Sequence, residues 1–291
     1  MKRDPRFPIY IPSKGRYNIR YTSDFLSRIG VFHYLIVEKE EYELYYQYTK
    51  DNPFVKLLIL DKSFQENYET LDNLGLLKPV GPGAARNFAW EHSIKNGFSY
   101  HWVMDDNIRQ FIYLHENKKI TISDGTFFYL MEDFVLRFKN LLMAGPHYAM
   151  FVPRKQKYKP FFFNTRIYSC NLIKNDIPFR WRGRYNEDTI LSLDILSKGY
   201  CTLLFNYFLQ EKMRTQLIKG GNTEVFYKKE GTFPKSQLLV NVYPQYAKLT
   251  YKFQRIHHEV NYKPFKNNKL LLNKNYEPEN LKIKPQIKKI I

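Results

Sequence analysis

The sequence predicts an α/β protein on a mixed sheet, and three observations carry that expectation. Short apolar runs alternate with helical patterns over residues 1–110, as a βαβ sheet requires. The chain has 291 residues, 44% of them apolar, enough to bury a sizeable core in one large domain or two intimately joined ones. The fourth apolar run closes on two adjacent aspartates, at the edge where open α/β sheets bind ligands.

Taken in order, residues 8–12 read as the first strand, ending in the loop Ser13-Lys14-Gly15-Arg16. A helix over 18–29 follows, with Ile19, Phe25, Leu26 and Ile29 able to share a face. Residues 32–37 and 55–60 are strands around a Glu/Tyr-rich helix at 39–49. Gly81-Pro82-Gly83 opens a helix over 84–96 that Gly97 ends, and 100–104 is the fourth strand. Runs 109–114 and 119–122 suggest a hairpin, and 126–143 a long amphipathic helix. Strands are expected at 147–152, 166–173 and 200–208, with a helix over 187–198 ended by Gly199. Helices over 222–230 and 234–247 precede the pair His257-His258. From residue 266 the chain is Lys/Asn/Pro-rich and weakly periodic, so an extended basic tail is expected there. No internal repeat is present.

Charge narrows the partners. Lys and Arg total 46 against 28 Asp and Glu, a net charge of +18, and aromatic residues reach 17%. A basic surface with interleaved aromatics can track phosphates and stack bases. An AT-rich coding sequence would also enrich Lys, Asn, Ile, Tyr and Phe. No apolar run approaches the ~18 residues of a membrane span, and the N-terminus lacks a signal-like stretch. Cys170 and Cys201 each sit in an apolar, strand-like run, which points to two buried thiols in a reducing cytoplasm. No membrane and no obligate protein partner are expected.

Met104-Asp105-Asp106-Asn107 is the strongest chemical signal. Adjacent carboxylates at a buried strand end repel unless a cation lies between them, and Mg²⁺ or Mn²⁺ would leave coordination positions open for phosphate. Read alone, the pair also fits a turn in which Asp caps backbone amides. Asn186-Glu187-Asp188 lies at a helix start, where capping or a general base would each suit. His257 and His258 point in different directions, so at most one would join a given metal. Gly81 and Gly83 allow close backbone approach, with Arg86 reaching a diphosphate from the helix start. The spacing of a P-loop is absent.

In combination, Ile11-Pro12-Ser13-Lys14-Gly15-Arg16, Val37-Glu38 with Glu41-Tyr42, and the Gly83-to-Asn87 segment form one ordered set with Met104-Asp105-Asp106-Asn107, Asn186-Glu187-Asp188, Gly220-Gly221-Asn222 and Arg255 through Tyr262. That set resembles a GT-A fold glycosyltransferase, and most closely the bacteriophage TET-associated glycosyltransferases. The resemblance spans roughly residues 8–265. It implies one domain over 1–265, with a donor-binding half at 1–107 and an acceptor half at 108–265, followed by a tail at 266–291. It further implies sugar transfer, with inversion, from a nucleotide-sugar such as a UDP-sugar to hydroxymethylpyrimidine bases in DNA.

On that resemblance, Pro12, Ser13, Lys14, Arg16, Glu38, Gly83, Arg86 and Asp105 would contact the donor. Asp106 would ligate Mn²⁺ or Mg²⁺, with Asn107 through its carbonyl and His257 or His258 completing the shell. The departure from Asp-x-Asp to Asp105-Asp106-Asn107 leaves the division of that work open. Asp188 would be the base, with Glu187 the fallback. Trp181 and Tyr185 would stack on a flipped acceptor base, bordered by Gly220, Gly221 and Asn222. Three other readings remain: transfer to a surface glycan or protein, a two-metal nuclease using Asp105, Asp106, Glu187 and Asp188, and a non-catalytic nucleic-acid binder.

Overall fold

Strand β1 (Ile9–Pro12) pairs in parallel with β2 (His33–Val37) on one side and with β4 (Tyr100–Met104) on the other. β3 (Val55–Ile59) extends the parallel array beyond β2. The chain therefore builds outward from β1, then crosses back to the far side of β1. That reversal opens a crevice beyond the carboxyl ends of β1 and β4, the place where such sheets take ligands. These relations come from a computed structural model that describes residues 2–72, 81–155, 159–213, 233–252 and 254–278.

Beyond β4 the sheet changes character. β9 (Cys170–Lys174) runs antiparallel to β4, and β7 (Leu141–Tyr148) antiparallel to β9. β10 (Cys201–Lys212) is parallel to β7 and antiparallel to β5 (Ile108–His115), which turns back into β6 (Lys118–Thr121). A short β8 (Phe161–Phe163) also pairs with β10. Among the described residues these ten strands form one mixed sheet in the order β3-β2-β1-β4-β9-β7-β10-β5-β6, with β8 off the path.

Both faces are covered, which is why the central strands read as continuous apolar runs. One core joins Phe25 and Leu26 of α1 (Tyr21–Arg28), Tyr45 of α2 (Tyr42–Thr49) and Phe127 and Phe128 of α5 (Thr126–Leu136) to Ile9, Trp102 and Leu203. A short helix α3 (Ser63–Glu66) precedes α4. The opposite core packs Trp90 of α4 (Gly83–Lys95) and Leu191 and Ile195 of α6 (Glu187–Ser197) on Val103, Met143 and Ile173. Outside α6 lie α7 (Phe233–Val242) and the hairpin β11 (Ala247–Lys252)–β12 (Arg255–Val260), joined through Leu193, Leu239 and Tyr243.

Several boundaries differ from expectation. The helix expected over 126–143 stops at Leu136, and residues 141–148 are a central strand. Lys139 N–H donates to Leu271 O (2.9 Å) and Asn140 is bonded through its side chain to Lys269 O (2.9 Å) and Leu271 N (2.8 Å), so the chain leaves the helix there. A four-residue apolar run has no periodicity to separate strand from helix. The strand expected at 166–173 begins only at Cys170, and the helix expected to 247 ends at Val242, two residues before Pro244. The helix expected at 222–230 lies outside the described residues.

Pro146 interrupts the ladder of a central strand. β10 shifts register opposite it, and Gln210 Nε2 fills in by donating to Pro146 O (2.9 Å) and Tyr168 O (3.0 Å). Beside it, a Cβ on Gly145 would lie 2.2 Å from Cys170 O, so glycine is what lets β7 and β9 approach. Cys170 and Cys201 are buried free thiols, as expected. A 3-10 turn over Lys263–Asn267 is followed by irregular chain to residue 278 that is docked: Asn273 N–H donates to Arg137 O (2.7 Å), and Tyr276 Oη to Asp133 (2.8 Å). No helix among the described residues is long and apolar enough to cross a membrane.

Candidate active site

The loop after β1 is fixed from beneath by Tyr45. Its hydroxyl bonds Ser13 Oγ (2.8 Å) and accepts the Arg16 amide (3.1 Å), while Glu41 takes the Gly15 N–H at 2.9 Å. The strand end on β4 is fixed by backbone. Asp105 N–H donates to Ser169 O (2.7 Å), and Thr22 Oγ1 donates to Asp105 O (2.6 Å) while accepting Ile108 N–H (2.8 Å). These contacts set the two carboxylates 105 and 106 at the crevice with their directions determined.

Each carboxylate has its own cations. Asp106 accepts from Ser13 Oγ (2.9 Å) on one oxygen and is paired with buried Arg16 on the other. Burial raises the Asp106 carboxyl above its usual range despite Arg16 and Ser13 pulling it down. Asp105 Oδ1 accepts from Arg86 Nη2 (2.7 Å) and Oδ2 from Lys212 Nζ, which also donates to Ser169 Oγ (2.9 Å). Burial would raise Asp105 as well, but Lys212 and Arg86 outweigh it and hold the group well below the ordinary carboxylate range. Adjacent aspartates thus shift in opposite directions because one faces two cations and the other one.

Arg86 links the two acidic clusters. It is 4% exposed, pairs with Glu187 at 3.0 Å as well as Asp105, and lies over the Trp181 ring at 4.6 Å. Glu187 is raised by burial, with Arg86 opposing. Asp188 is held differently: Thr189 N–H donates to its Oδ1 at 2.7 Å, and Oδ2 has no hydrogen bond among the described residues. Asn186, at φ 56, makes the left-handed entry to α6 and donates to Lys235 O (2.7 Å). Arg166, seated on Tyr168 at 4.7 Å, faces Asp188 electrostatically.

These side chains line a cleft of about 860 Å³, within the ~300–1,000 Å³ usual for small-molecule sites. Of the residues expected in the site, Pro12, Ser13, Lys14, Arg16, Glu38, Arg86, Asp105, Asp106, Asn107, Tyr185, Glu187 and Asp188 line it. Lys14 and Glu38 spend their charge on each other at 2.8 Å. Trp181 and Gly83 are not among the lining residues. Trp181 is 1% exposed and serves as the platform under Arg86 instead of a stacking surface for a base. Gly83 does not line the cleft, and its missing side chain is the space for Tyr68, whose hydroxyl would lie 1.9 Å from a Cβ there. Gly220, Gly221 and Asn222 lie outside the described residues.

The expected metal shell does not come together. His257 and His258 sit on β12 and do not line the cleft. His257 accepts from Arg255 Nε (3.1 Å), while His258, lowered to about 4 by burial, has Lys235, Arg166 and Asp188 as its charged neighbours. Among the described residues no three His, Cys, Asp or Glu side chains gather as a metal would need. Asn107 Oδ1 is buried without a hydrogen bond, a single orphaned donor atom that no second oxygen of Asp105 or Asp106 joins, because all four of theirs accept from Arg, Lys or Ser. The residues present therefore do not fit the dication.

Sequence reasoning also missed Lys212, Arg166, Ser169, Tyr148 and Tyr168 in the cleft. The polar end Gln210-Glu211-Lys212 on an otherwise apolar strand was the available signal for the first.

A doubly wound start, a switch-point crevice and a charged cleft of this size define an α/β protein with a small-molecule-sized site at its strand ends. The family model of the TET-Associated Glycosyltransferases matches residues 7–221, and the chain belongs to that family. It is accordingly a glycosyltransferase, and its mixed sheet of ten strands suits a Rossmann-like one. No curated protein matches the chain.

Proposed function

We propose that the protein transfers a sugar from a nucleotide-sugar, such as a UDP-sugar, to the hydroxymethyl group of a pyrimidine base in DNA. The observation that supports this best is the pairing of two acidic clusters across one cleft: Asp105 at the end of β4 and Glu187-Asp188 at the start of α6, joined through Arg86. The donor lies along β1 and β4 in a GT-A arrangement, with the donor half at residues 1–107 and the acceptor half at 108–265. Gly81, Pro82, Ala84 and Ala85 at the α4 N-terminus line the same cleft, where the helix dipole favours phosphate.

In the transfer step, the acceptor oxygen attacks the anomeric carbon. The bond from that carbon to the diphosphate oxygen breaks, and its electron pair leaves with the nucleotide. Asp188 takes the acceptor proton through Oδ2, and a single direct displacement inverts the anomeric centre. Glu187 suits that role less, because its charge is committed to Arg86. Net charge of +18 favours DNA over a neutral glycan as acceptor. Tyr185 and Tyr148 line the cleft as aromatic residues for an extruded base, Tyr168 being covered by Arg166.

The test is transfer from radiolabelled nucleotide-sugars to DNA with and without hydroxymethylpyrimidines, using wild type and Asp188→Asn. Label in the hydroxymethylated DNA, lost in Asp188→Asn, is the expected result. Label entering a glycan or protein acceptor but no DNA overturns the DNA reading.

A further inference from the structure

The four carboxylate oxygens of Asp105 and Asp106 accept from Arg86, Lys212, Ser13 and Arg16. A dication at this pair would have to displace those partners and then sit beside three fixed positive charges. The cleft also carries its own positive excess, nine Lys or Arg side chains lining it against six Asp or Glu. Arg184 among them is paired with Asp72 outside the lining, so an excess of about two faces the charge of about −2 to −3 that a diphosphate brings. Lys212 has three ammonium protons, of which Asp105 and Ser169 take two, leaving a third for a phosphate oxygen. Arg86 is locked by Asp105, Glu187 and the Trp181 ring, so its position costs nothing further when the ligand arrives.

We propose that Lys212 and Arg86, oriented by Asp105, supply the counter-charge of the donor's diphosphate and of the departing nucleotide in place of a divalent cation. Asp105 is then a positioning residue for two cations, and Asp106 anchors the β1 loop through Arg16 and Ser13. This rests on the nucleotide-sugar reading given above.

Calorimetric titration of UDP, and in turn GDP, CDP and ADP, into the full chain decides it, with either EDTA or MnCl₂ present. Binding of one nucleoside diphosphate with equal affinity in both conditions is expected, together with sugar transfer that survives EDTA. Lys212→Met is expected to weaken that binding on the order of 10- to 100-fold, the loss of one charge-assisted contact, and Lys212→Arg to retain most of it. Binding or transfer that requires Mn²⁺ or Mg²⁺ and disappears in EDTA overturns the inference while leaving the donor reading intact. Absence of binding by all four nucleotides in both conditions overturns the donor reading and this inference with it. If Lys212→Met does not fold, the EDTA arm on the wild-type protein and Lys212→Arg still decide.

Discussion

Arg86 is the residue whose removal tests the site's electrostatics most sharply. Replacing it with Ala strips the partner from Asp105 at 2.7 Å and from Glu187 at 3.0 Å, and leaves the buried Trp181 ring without its cation. Breaking a buried pair by deleting one side costs about 3–5 kcal/mol, since the remaining charge stays desolvated. Lys212 still faces Asp105, so the loss falls mainly on Glu187, whose carboxyl burial already raises. Against a total stability of ~5–15 kcal/mol, that is a large fraction. Urea unfolding followed by tryptophan fluorescence reads it directly, because Trp181 lies under the mutated side chain. Arg86→Ala, Glu187→Gln and the double variant close a thermodynamic cycle, with a coupling of about 1.5 kcal/mol or more expected. A coupling near zero, or an Arg86→Ala loss under about 1 kcal/mol, refutes the reasoning.

Gly83→Ala drives a methyl into Tyr68, so a loss of ~1–3 kcal/mol by the same unfolding assay is expected, partly recovered by Tyr68→Leu; an unchanged midpoint contradicts the packing described. Burial lowers His33 and His101 to about 4, so their stability contribution is present above the unfolded value of 6.5 and lost as pH falls toward 4. By pH 5 each costs about 2 kcal/mol, while Glu132, raised to about 7 by burial, runs the other way and regains about 2 on acidification from pH 7.5. Unfolding free energies at pH 7.5 and 5 should show a net fall that shrinks in His33→Asn; an identical fall in that variant counts against the histidine's role. Binding of hydroxymethylated DNA should weaken linearly in log–log salt titrations, and a flat response would rule out phosphate contacts as its source. Asp188→Asn should cost about 10²- to 10⁴-fold in transfer while nucleoside diphosphate affinity stays put, and a parallel loss of both would make Asp188 a donor-binding group.

The first half of the site was legible because its residues end short apolar strands. Ser13 and Arg16 follow β1, Asp105 and Asp106 follow β4, and that βαβ order alone predicts them at one crevice. Glu187 and Asp188 were legible as a helix start. Lys212 and Arg166 were not, because Lys212 ends β10 and Arg166 lies in the segment leading into β9, and the neighbours of both strands are set by long-range pairing across the mixed half of the sheet. Trp181 misled for a related reason: an aromatic beside a carboxylate pair suggests base stacking until tertiary packing puts Arg86 on its face. The repulsion between Asp105 and Asp106 was read as calling for a divalent cation. What local sequence could not reveal was that Arg16, Arg86 and Lys212 already meet it.

Mass analysis of nucleosides digested from hydroxymethylated DNA, after incubation with the protein and a panel of nucleotide-sugars, tests the central claim most directly. A hydroxymethylpyrimidine nucleoside heavier by one sugar residue, formed with wild type and absent with Asp188→Asn, is the predicted result. Unmodified hydroxymethyl nucleosides with every donor, alongside sugar transferred to a glycan or protein, would contradict it.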